Sequence, residues 1–336
     1  MAFSALTPRE FAERLLAAST PVFFMHRRPD GDTVGSTAGL MHILRAMGKD
    51  SFGVCADRIP ERLSFLSEGL AMGCTLPEVA DPTVIAVDVA TREQLGELAS
   101  LPISPVLMLD HHAVGVPFAD HLVLPKAAAA GEAVLAVAEE LIAMGALSAV
   151  PACAKRCLYA ALSSDTGCFR YSNVTPVTLR YAATLLEGDE VDAAHINHLL
   201  FEMKSDKQLR AEAFAIEHTS TSADGKIAWV LITDAARRAL GVEEEHLETV
   251  IDMVRSRAGV EIALAVREQP DGTLRASMRS SGFDVAAVAA TFGGGGHLRA
   301  AGCTVTADTP QAALEAVLSE IYRRAHDENN QKKKDL

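Results

Sequence analysis

The amino-acid sequence predicts an α/β protein in which a parallel-sheet domain precedes a smaller α/β domain. The chain has 336 residues, a length that accommodates about two domains. Short apolar runs alternate with helical patterns over residues 1–190, as βαβ units require. A polar helical segment then separates this region from a second set of apolar runs. We therefore expect two folded domains joined by a helical connector.

Four apolar runs in the first region are predicted to form strands, at residues 21–25, 51–55, 84–87 and 106–109. The last two contain only apolar residues, which is typical of parallel strands covered by helices on both faces. Helices are predicted from Thr37 to Met47 and from Glu132 to Met144, because each pattern ends at a glycine. The first domain is therefore predicted to be a parallel sheet between layers of helices.

The connector is predicted for residues 191–222, which lack strand character and also lack the Gly and Pro content of a flexible linker. Residues 223–325 form the predicted second domain, with a helix from Val285 to Phe292 and strands at 226–232, 261–267, 273–279 and 303–305. Residues 326–336 are polar and are predicted to form a solvated tail.

The composition argues against a membrane or a long nucleic acid as partner. The 44 Asp and Glu residues outnumber the 31 Lys and Arg residues, which gives a net charge of −13, whereas binding long nucleic acid needs clustered cations. No uncharged apolar run is long enough to span a membrane, and the charged N-terminal stretch is unlike a signal peptide. The six scattered cysteines do not form a disulfide scaffold. We therefore predict a cytoplasmic protein that binds any anionic substrate locally.

Polar side chains follow three of the predicted strands at their carboxyl ends, the edge where open α/β sheets bind ligands. A fourth position, occupied by a single aspartate, follows a helical segment. In chain order these candidates are His26, Asp30 and Asp32; Asp88; Asp110, His111 and His112; and Asp165. Because the strands are predicted to be parallel, their carboxyl ends lie at one edge, and we expect the side chains to converge there.

The candidate residues have the chemistry of a divalent-metal site. Mixed carboxylates and imidazoles suit Mn²⁺ or Mg²⁺, and the lack of a cysteine among them argues against structural zinc. A carboxylate at Asp88, after an apolar strand, would be costly to bury without a cation. Asp32 alone would be explained as a helix cap, and a histidine pair as one core and one surface residue. Four clusters of the same chemistry are hard to explain as independent accidents.

A second candidate site is the run Gly293, Gly294, Gly295, Gly296 and His297. Consecutive glycines expose backbone N–H groups that a phosphate or nucleotide can approach, and Arg279, Ser280 and Ser281 precede them at a predicted strand end. A glycine run alone is more often a flexible loop, but the adjacent histidine and arginine make an anion-binding loop an equal expectation. No Walker A or Rossmann fingerprint competes with it.

The order of the polar clusters resembles the four motifs of the DHH phosphoesterase superfamily, whose third motif is Asp110-His111-His112 here. The glycine run with its histidine resembles the signature of the DHHA1 domain that follows the DHH domain in one branch. The resemblance covers nearly the whole chain. The length and the segment 165–171 are most similar to bifunctional oligoribonucleases that also hydrolyse 3′-phosphoadenosine 5′-phosphate, often called nanoRNases.

The resemblance implies a centre of two Mn²⁺ ions, for which Mg²⁺ or Co²⁺ would also be suitable. One ion would be bound by His26, Asp30 and Asp88. The other would be bound by Asp32, Asp88, His111 and Asp165, so that Asp88 bridges the two ions. As further catalytic residues, Asp110 would orient the imidazole of His111, and His112 would face the scissile phosphate.

The function implied is a Mn²⁺-dependent phosphoesterase that hydrolyses short oligoribonucleotides and 3′-phosphoadenosine 5′-phosphate, a mononucleotide bisphosphate. Two divalent ions about 3.5–4 Å apart can activate a bridging water and neutralise charge on the phosphate. The other end of the substrate would contact Arg279, Ser280, Ser281, the four glycines and His297 across a cleft between the domains. The resemblance also implies that the chain can form a homodimer through its first domain.

Two alternative functions are compatible with the same residues. A phosphodiesterase specialised for cyclic dinucleotides, or for their linear dinucleotide products, would use the same centre. A nucleotide-binding regulatory module would bind such ligands without hydrolysing them. We disfavour the regulatory module because no position of the ligand set is missing.

Overall fold

The structure is a computed structural model that describes residues 3–334, without the side chains of residues 297 and 328–334. It divides into two compact units, Met1–Met203 and Lys204–Leu336. The first contains a parallel sheet and the second a smaller mixed sheet, each packed with helices. The predicted fold class, a parallel-sheet α/β domain followed by a smaller α/β domain, is therefore confirmed.

The first unit contains seven α-helices and six strands among its described residues. The helices are α1 (Pro8–Ala17), α2 (Gly31–Ala46), α3 (Ser64–Ser67), α4 (Ala130–Ala143), α5 (Ala152–Asp165), α6 (Pro176–Leu186) and α7 (Ala193–Asn197). The strands are β1 (Thr20–Met25), β2 (Phe52–Val54), β3 (Met72–Gly73), β4 (Pro82–Val87), β5 (Leu107–Asp110) and β6 (Asp120–Val123). Short 3₁₀ turns span Glu61–Leu63 and Arg92–Ser100, and a π-helical turn spans His198–Glu202.

The strand order of the first sheet is β3-β2-β1-β4-β5-β6, and every neighbouring pair is parallel. The chain runs outward from β1 through β2 to β3 and then returns to the other side of β1 to form β4. The carboxyl ends of β1 and β4 therefore flank the point where the chain reverses direction across the sheet. In open α/β sheets, this switch point is where ligands bind.

The two faces of this sheet are covered in different ways. Phe23, Ile85 and Leu109 lie on the face that packs against α1, α2, α4 and α5. Phe24 and Met108 lie on the other face, where the apolar cover comes from the 3₁₀ turns at 92–100 and neighbouring loops. The apolar strands are thus buried on both faces as predicted, but long helices cover only one of them.

Helix α2 begins at Gly31, six residues before the start predicted from the sequence. The side chain of Asp30 caps it by accepting hydrogen bonds from the N–H groups of Asp32 and Thr33, at 3.1 and 3.0 Å. Nearly every residue of α2 is buried, polar ones included. The first turns therefore lack the contrast between apolar and polar faces on which sequence prediction of a helix depends.

Helices α2 and α5 pack closely because glycines of α2 face α5. A Cβ atom at Gly35 would lie 2.6 Å from the carbonyl oxygen of Cys157, and one at Gly39 would lie 2.7 Å from the side chain of Leu158. The first contact is with backbone, which cannot move aside as a side chain can. This packing fixes the spacing between the amino-terminal end of α2 and the carboxyl-terminal end of α5.

The second unit contains a mixed sheet of order β11-β12-β10-β9-β8-β7, in which only β8 and β9 are parallel neighbours. Its strands are β7 (Ser220–Thr221), β8 (Ile227–Ile232), β9 (Ile262–Glu268), β10 (Leu274–Ser280), β11 (Gly295–His297) and β12 (Ala300–Val305). Its helices are α8 (Asp206–His218), α9 (Asp234–Leu240), α10 (Val250–Arg255), α11 (Val285–Thr291) and α12 (Pro310–Lys334), with a 3₁₀ turn at Glu244–Leu247.

The connector and the C-terminal tail differ in detail from the form predicted from the sequence. The segment 191–222 contains α7, the π-helical turn and α8, and the division between the two units falls at Met203. The backbone of α12 continues to Lys334, so most of the predicted polar tail is helical, and residues 335–336 lie outside the described range. Among the described residues, no helix combines the length and apolarity needed to cross a bilayer.

We expect Gly35→Val to destabilise the first unit, because the added methyl groups would push against the Cys157 carbonyl and separate α2 from α5. Overpacking of this kind costs about 1–3 kcal/mol in the free energy of unfolding. Urea denaturation followed by circular dichroism would measure it. The matched control is Gly73→Val, where the space around the new Cβ is open. Equal stability of the two variants would contradict the close contact.

Candidate metal centre

The strands of the first sheet bring three candidate residues to one edge. His26 follows β1, Asp88 follows β4, and Asp110 is the last residue of β5. Strand register aligns them, since Met25 pairs with Val87 and Val87 pairs with Leu109. Because the strands are parallel, the three side chains emerge side by side at the switch point of the sheet.

The backbone of Asp88 adopts the left-handed conformation, with a φ of 58°. A residue with a Cβ rarely adopts this conformation, and such strain concentrates at functional sites. The N–H of Asp88 donates to the carbonyl of Leu109 at 2.8 Å, which keeps the residue attached to β5. The turn therefore orients a buried carboxylate at the end of β4.

Two helix ends supply the carboxylate of Asp32 with hydrogen-bond donors. Its oxygens accept from the N–H groups of Ala130 at 2.6 Å and Gly131 at 3.1 Å, in the first turn of α4, and from the hydroxyl of Ser36 at 2.8 Å. Asp32 itself lies in the first turn of α2, so the amino-terminal ends of two helices favour its negative charge. Sequence reasoning missed Ser36 because this residue, like Asp32, lies before the predicted helix start at Thr37, so its helical spacing from Asp32 was not visible.

Helix α5 brings the last candidate, Asp165, to the same place at its carboxyl-terminal end. The side-chain amide of Asn173 donates to the carbonyl oxygens of Asp165 at 3.0 Å and Ala128 at 3.1 Å. It thereby ties the segment after α5 to the segment before α4. Asp165 is held close to Asp32 by this link and by the packing of α2 on α5.

The side chains form two groups that meet at Asp88. In the first, the Nε2 atom of His26 lies 3.7 Å from an oxygen of Asp30 and 3.4 Å from Oδ2 of Asp88. In the second, the Nε2 atom of His111 lies 3.7 Å from an oxygen of Asp32 and 3.4 Å from an oxygen of Asp165. The Oδ1 atom of Asp88 lies 3.6 Å from that same Nε2 atom. Each oxygen of Asp88 therefore faces a different group.

Polar atoms at the meeting point of the groups fit a cation. Oδ1 of Asp88 and Nε2 of His111 are both buried, and neither has a hydrogen-bond partner among the described residues. Buried polar atoms are normally paired, because burial without a partner is costly. Three sets of side chains have donor atoms close enough to hold a metal ion: His26, Asp30 and Asp88; Asp32, His111 and Asp165; and Asp88, His111 and His112. The donors are oxygen and imidazole nitrogen, as hard or borderline divalent ions prefer.

Electrostatics at the centre oppose the ionisation of two of its carboxyls, those of Asp32 and Asp165. Burial, followed by the charge of Asp88, raises the pKa of Asp32 to about 7. Burial and the charge of Asp32 raise the pKa of Asp165 well above its ordinary range. Like charges confined in a buried space disfavour one another. Divalent cations would remove this repulsion, because two of them balance the four negative charges of Asp30, Asp32, Asp88 and Asp165.

The carboxylate of Asp110 is hydrogen-bonded to the imidazole of His112, whereas the imidazole of His111 bonds elsewhere, which corrects the expectation that Asp110 orients the imidazole of His111. An oxygen of Asp110 lies 2.7 Å from Nδ1 of His112, whereas Nδ1 of His111 lies 3.3 Å from the carbonyl oxygen of Ala127. Burial opposes protonation of His112, but Asp110 and the nearby carboxylates raise its pKa to about 9. The expectation failed because backbone direction at the end of β5 decides which adjacent imidazole turns toward Asp110.

The residues predicted to bind substrate all lie in the second unit, at one end of its sheet. Arg279 of β10 and His297 of β11 both pair with Ala300 of β12, so β12 lies between them. The hydroxyl of Ser280 donates to the carbonyl of Phe283, and the N–H of Ser281 donates to the carbonyl of Glu261 at 3.0 Å. The two serines are therefore held by backbone contacts beside the strand end.

The glycine run is not only a loop, which corrects a second expectation. Gly295, Gly296 and His297 form the edge strand β11, paired antiparallel with β12. A Cβ at Gly294 would overlap the backbone of Gly302, and one at Gly296 would lie 2.5 Å from the carbonyl oxygen of Ala300. Glycine is required there by the close approach of two strands, a reason that the sequence alone did not show.

Comparison with known proteins agrees with the order of the two units. The family model for the DHH family N-terminal domain matches residues 22–163 of the sequence, and the family model for the DHHA1 domain matches residues 227–324. A protein of Thermus thermophilus named bifunctional oligoribonuclease and PAP phosphatase NrnA is 30% identical in an alignment of length 335 that covers 95% of each chain. The cyclic-di-AMP phosphodiesterase GdpP of Geobacillus thermodenitrificans is 26% identical over 92% of this chain and 48% of its own.

The fold has a solved counterpart in the crystal structure of an exopolyphosphatase-related protein from Bacteroides fragilis. The TM-score is 0.84 at 20% sequence identity, with 94% of this chain and 95% of the other covered. The match to the DHH family and the relatives over nearly the whole chain identify a hydrolase of phosphate esters, and the carboxylates and imidazoles at the switch point are consistent with it. The chain belongs to the DHH family of phosphoesterases and carries a DHHA1 domain.

Divalent metal is expected to stabilise the protein, because it removes the repulsion among the buried carboxylates. We expect EDTA to lower the melting temperature, and Mn²⁺ at about 100 times its Kd to raise it by roughly 5–10 °C. Differential scanning calorimetry would measure the shift. In Asp88→Asn the increase in melting temperature caused by Mn²⁺ should shrink by about half or more. The control is Asp50→Asn, at an exposed position of the same unit, which should show the full increase. A full shift in Asp88→Asn would contradict the assignment of Asp88.

Proposed function

We propose that the protein is a Mn²⁺-dependent phosphoesterase that hydrolyses short oligoribonucleotides and 3′-phosphoadenosine 5′-phosphate. The observation that supports it best is the position of Asp88 between two groups of ligands, with one oxygen toward each. Such a shared carboxylate suits a pair of divalent ions, the usual catalytic centre for phosphoryl transfer to water. The substrates are proposed from the name of the Thermus thermophilus relative, which aligns along nearly the full length of both chains.

In this proposal His26, Asp30 and Asp88 hold one ion, and Asp32, Asp88, His111 and Asp165 hold the other. When bound, the ions would lower the pKa of an attacking water and neutralise charge on the phosphate oxygens. The protein side chains fix the separation of the two sites, because they come from strands and helices that pack against one another. With four carboxylates balanced by two divalent ions, the centre becomes able to accept an anionic substrate.

His112 is proposed to act on the phosphate itself. Its Nδ1 atom is held by Asp110 at 2.7 Å, so the ring has a defined orientation and tautomer. The negative charge of Asp110 favours the protonated form of the imidazole, consistent with the raised pKa of His112. A protonated His112 can donate a hydrogen bond to a phosphate oxygen or a proton to the leaving oxygen.

The second unit is proposed to bind the part of the substrate that does not react. Arg279 supplies a cation, and Ser280, Ser281, the four glycines and His297 supply further polar groups at the same end of its sheet. A guanidinium and backbone N–H groups together suit a second phosphate. Short substrates fit this proposal, since a net charge of −13 opposes the binding of long nucleic acid strands.

A dinucleotide phosphodiesterase is the second candidate, favoured by the match to the cyclic-di-AMP phosphodiesterase of Geobacillus thermodenitrificans. That relative extends well beyond the matched region, since the match covers 48% of it. The same centre would cleave either substrate, because the bond broken is a phosphoester in both. The choice therefore depends on groups that contact the rest of the substrate.

Product release from a panel of substrates tests the proposal. The purified protein with Mn²⁺ is expected to release mononucleotides from RNA of two to five nucleotides and phosphate from 3′-phosphoadenosine 5′-phosphate. Asp88→Asn should lower kcat by about 100- to 1,000-fold, the size of effect seen when one group that stabilises transition-state charge is removed. Asp50→Asn should keep wild-type rates.

The same panel includes cyclic dinucleotides and pyrophosphate. Turnover of cyclic dinucleotides alone would establish the second candidate and overturn the first. Tight nucleotide binding without hydrolysis of any compound, despite bound metal, would show a regulatory module.

Asp110→Asn separates the role of His112 from metal binding. We expect kcat to fall about 10- to 100-fold, because the imidazole loses its orienting partner, while the melting shift caused by Mn²⁺ stays. Steady-state kinetics at saturating metal would measure it. Asp120→Asn, at the amino-terminal end of the neighbouring strand β6, is the control. A weaker Mn²⁺ affinity with unchanged kcat would contradict the role assigned to Asp110.

A further inference from the structure

The segment 127–131, which leads into the first turn of α4, contacts the metal centre through its backbone. Its first carbonyl, that of Ala127, lies 3.3 Å from Nδ1 of His111. Its last two N–H groups donate to the carboxylate of Asp32 at 2.6 and 3.1 Å. Polar side chains of the segment cannot fix these contacts, since its residues are four alanines and one glycine. A group outside the segment must therefore hold it in place.

Helix α4 begins without a capping side chain of its own. Its N-cap residue, Ala129, has no side-chain oxygen, and Asp32 of α2 accepts from the first-turn N–H groups instead. A glutamate at the third helical position often reaches back to the N–H of the N-cap residue, as half of a capping box. Glu132 occupies that position but reaches one residue further, to the N–H of Ala128 at 3.1 Å. Its carboxylate therefore anchors the segment 127–131.

The carboxylate of Glu132 is itself fixed by a second helix. Glu132 is 3% exposed, and the hydroxyl of Thr178, in the first turn of α6, donates to its Oε1 atom at 2.6 Å. The same oxygen accepts from the N–H of Ala128. Both donors are neutral groups, which offset the burial of a carboxylate less well than a cation does. Such a carboxylate contributes little net stability, and what it fixes is the geometry of the segment.

We propose that Glu132 is a positioning residue of the metal centre. By anchoring the segment 127–131, it keeps a carbonyl beside the imidazole of His111 and two N–H groups on the carboxylate of Asp32. The proposal rests on the metal centre of the proposed function, and it adds a buried group that acts through two ligands without touching an ion. Removal of a partner that orients metal ligands lowers metal affinity or activity about 10- to 100-fold.

Isothermal titration of Mn²⁺ into the metal-free protein tests this role. For Glu132→Ala we expect the Kd for Mn²⁺ to rise about 10- to 100-fold. Glu132→Gln should stay within about threefold of wild type, because its amide oxygen can accept the same two hydrogen bonds. The matched control is Leu141→Ala, a buried position on the same helix about 14 Å further along it. This variant should lower the melting temperature by roughly 5–15 °C and keep the wild-type Kd.

Two results of the titration would overturn the role of Glu132. The first is an unchanged Kd in Glu132→Ala. The second is an equal loss of affinity in Leu141→Ala, which would show that metal affinity follows the general stability of the first unit and not the position of one segment.

Thr178→Val tests the same contact with a milder change, which keeps the proposal open to contradiction if Glu132→Ala does not fold. It removes the hydroxyl donor to Glu132, and the Kd for Mn²⁺ should rise about 2- to 10-fold, the contribution of one hydrogen bond. Thr178 also bonds to Thr175, the N-cap residue of α6. Thr175→Ala is therefore the control, since it removes the cap and leaves the hydroxyl of Thr178. Equal Kd values in these two variants would contradict the proposal.

Hydrogen exchange in the metal-free protein keeps the test separate from metal binding. The amides of Ala130 and Gly131 should exchange about 5- to 10-fold faster in Glu132→Ala, relative to the other amides of α4, because their contact with Asp32 is no longer fixed. Glu132→Gln and Leu141→Ala should not show this selective change. Selective exchange supports the positioning role even if the wild-type protein binds no Mn²⁺ and the proposed function fails. Unchanged exchange in Glu132→Ala would overturn it.

Discussion

The need to hold four carboxylates together at one edge of a parallel sheet governs the structure of the first unit. Asp30, Asp32, Asp88 and Asp165 come from two helices and one strand end, and in a low-dielectric site their mutual repulsion is strong. The fold counters it with the amino-terminal ends of α2 and α4 at Asp32 and with imidazoles beside the remaining oxygens. The left-handed backbone of Asp88 belongs to the same arrangement.

Two structural features share the positioning of the reactive groups. Sheet register sets the level of His26, Asp88 and Asp110, and the contact between α2 and α5 sets the distance from Asp32 to Asp165. The chemistry is thus built from regular elements more than from loops, which suits a centre in which small displacements would impair catalysis.

Sequence patterns predicted four of the six strands of the first sheet, β1, β2, β4 and β5, but not β3 or β6. They also predicted the polar residues at the strand ends, because apolar runs followed abruptly by Asp or His are visible without a structure. They did not show that α2 starts at Gly31, since a helix buried on all sides has no periodic contrast. They also missed strand β11, because glycines carry no strand signal and their role depends on a neighbouring strand. The partner of Asp110 depended on backbone direction, which spacing alone does not encode.

The order of strands in the first sheet has a consequence for biosynthesis. The candidate ligands extend from His26 to Asp165, and β1, in the middle of the sheet, pairs with β4 only after the chain has passed through β2 and β3. A ribosome must therefore release about half of the chain before the last carboxylate can join the others. Until then an emerging chain can offer a metal ion only part of the set, bound weakly and reversibly. Binding of the proposed ions would thereby be postponed until the surrounding fold is complete.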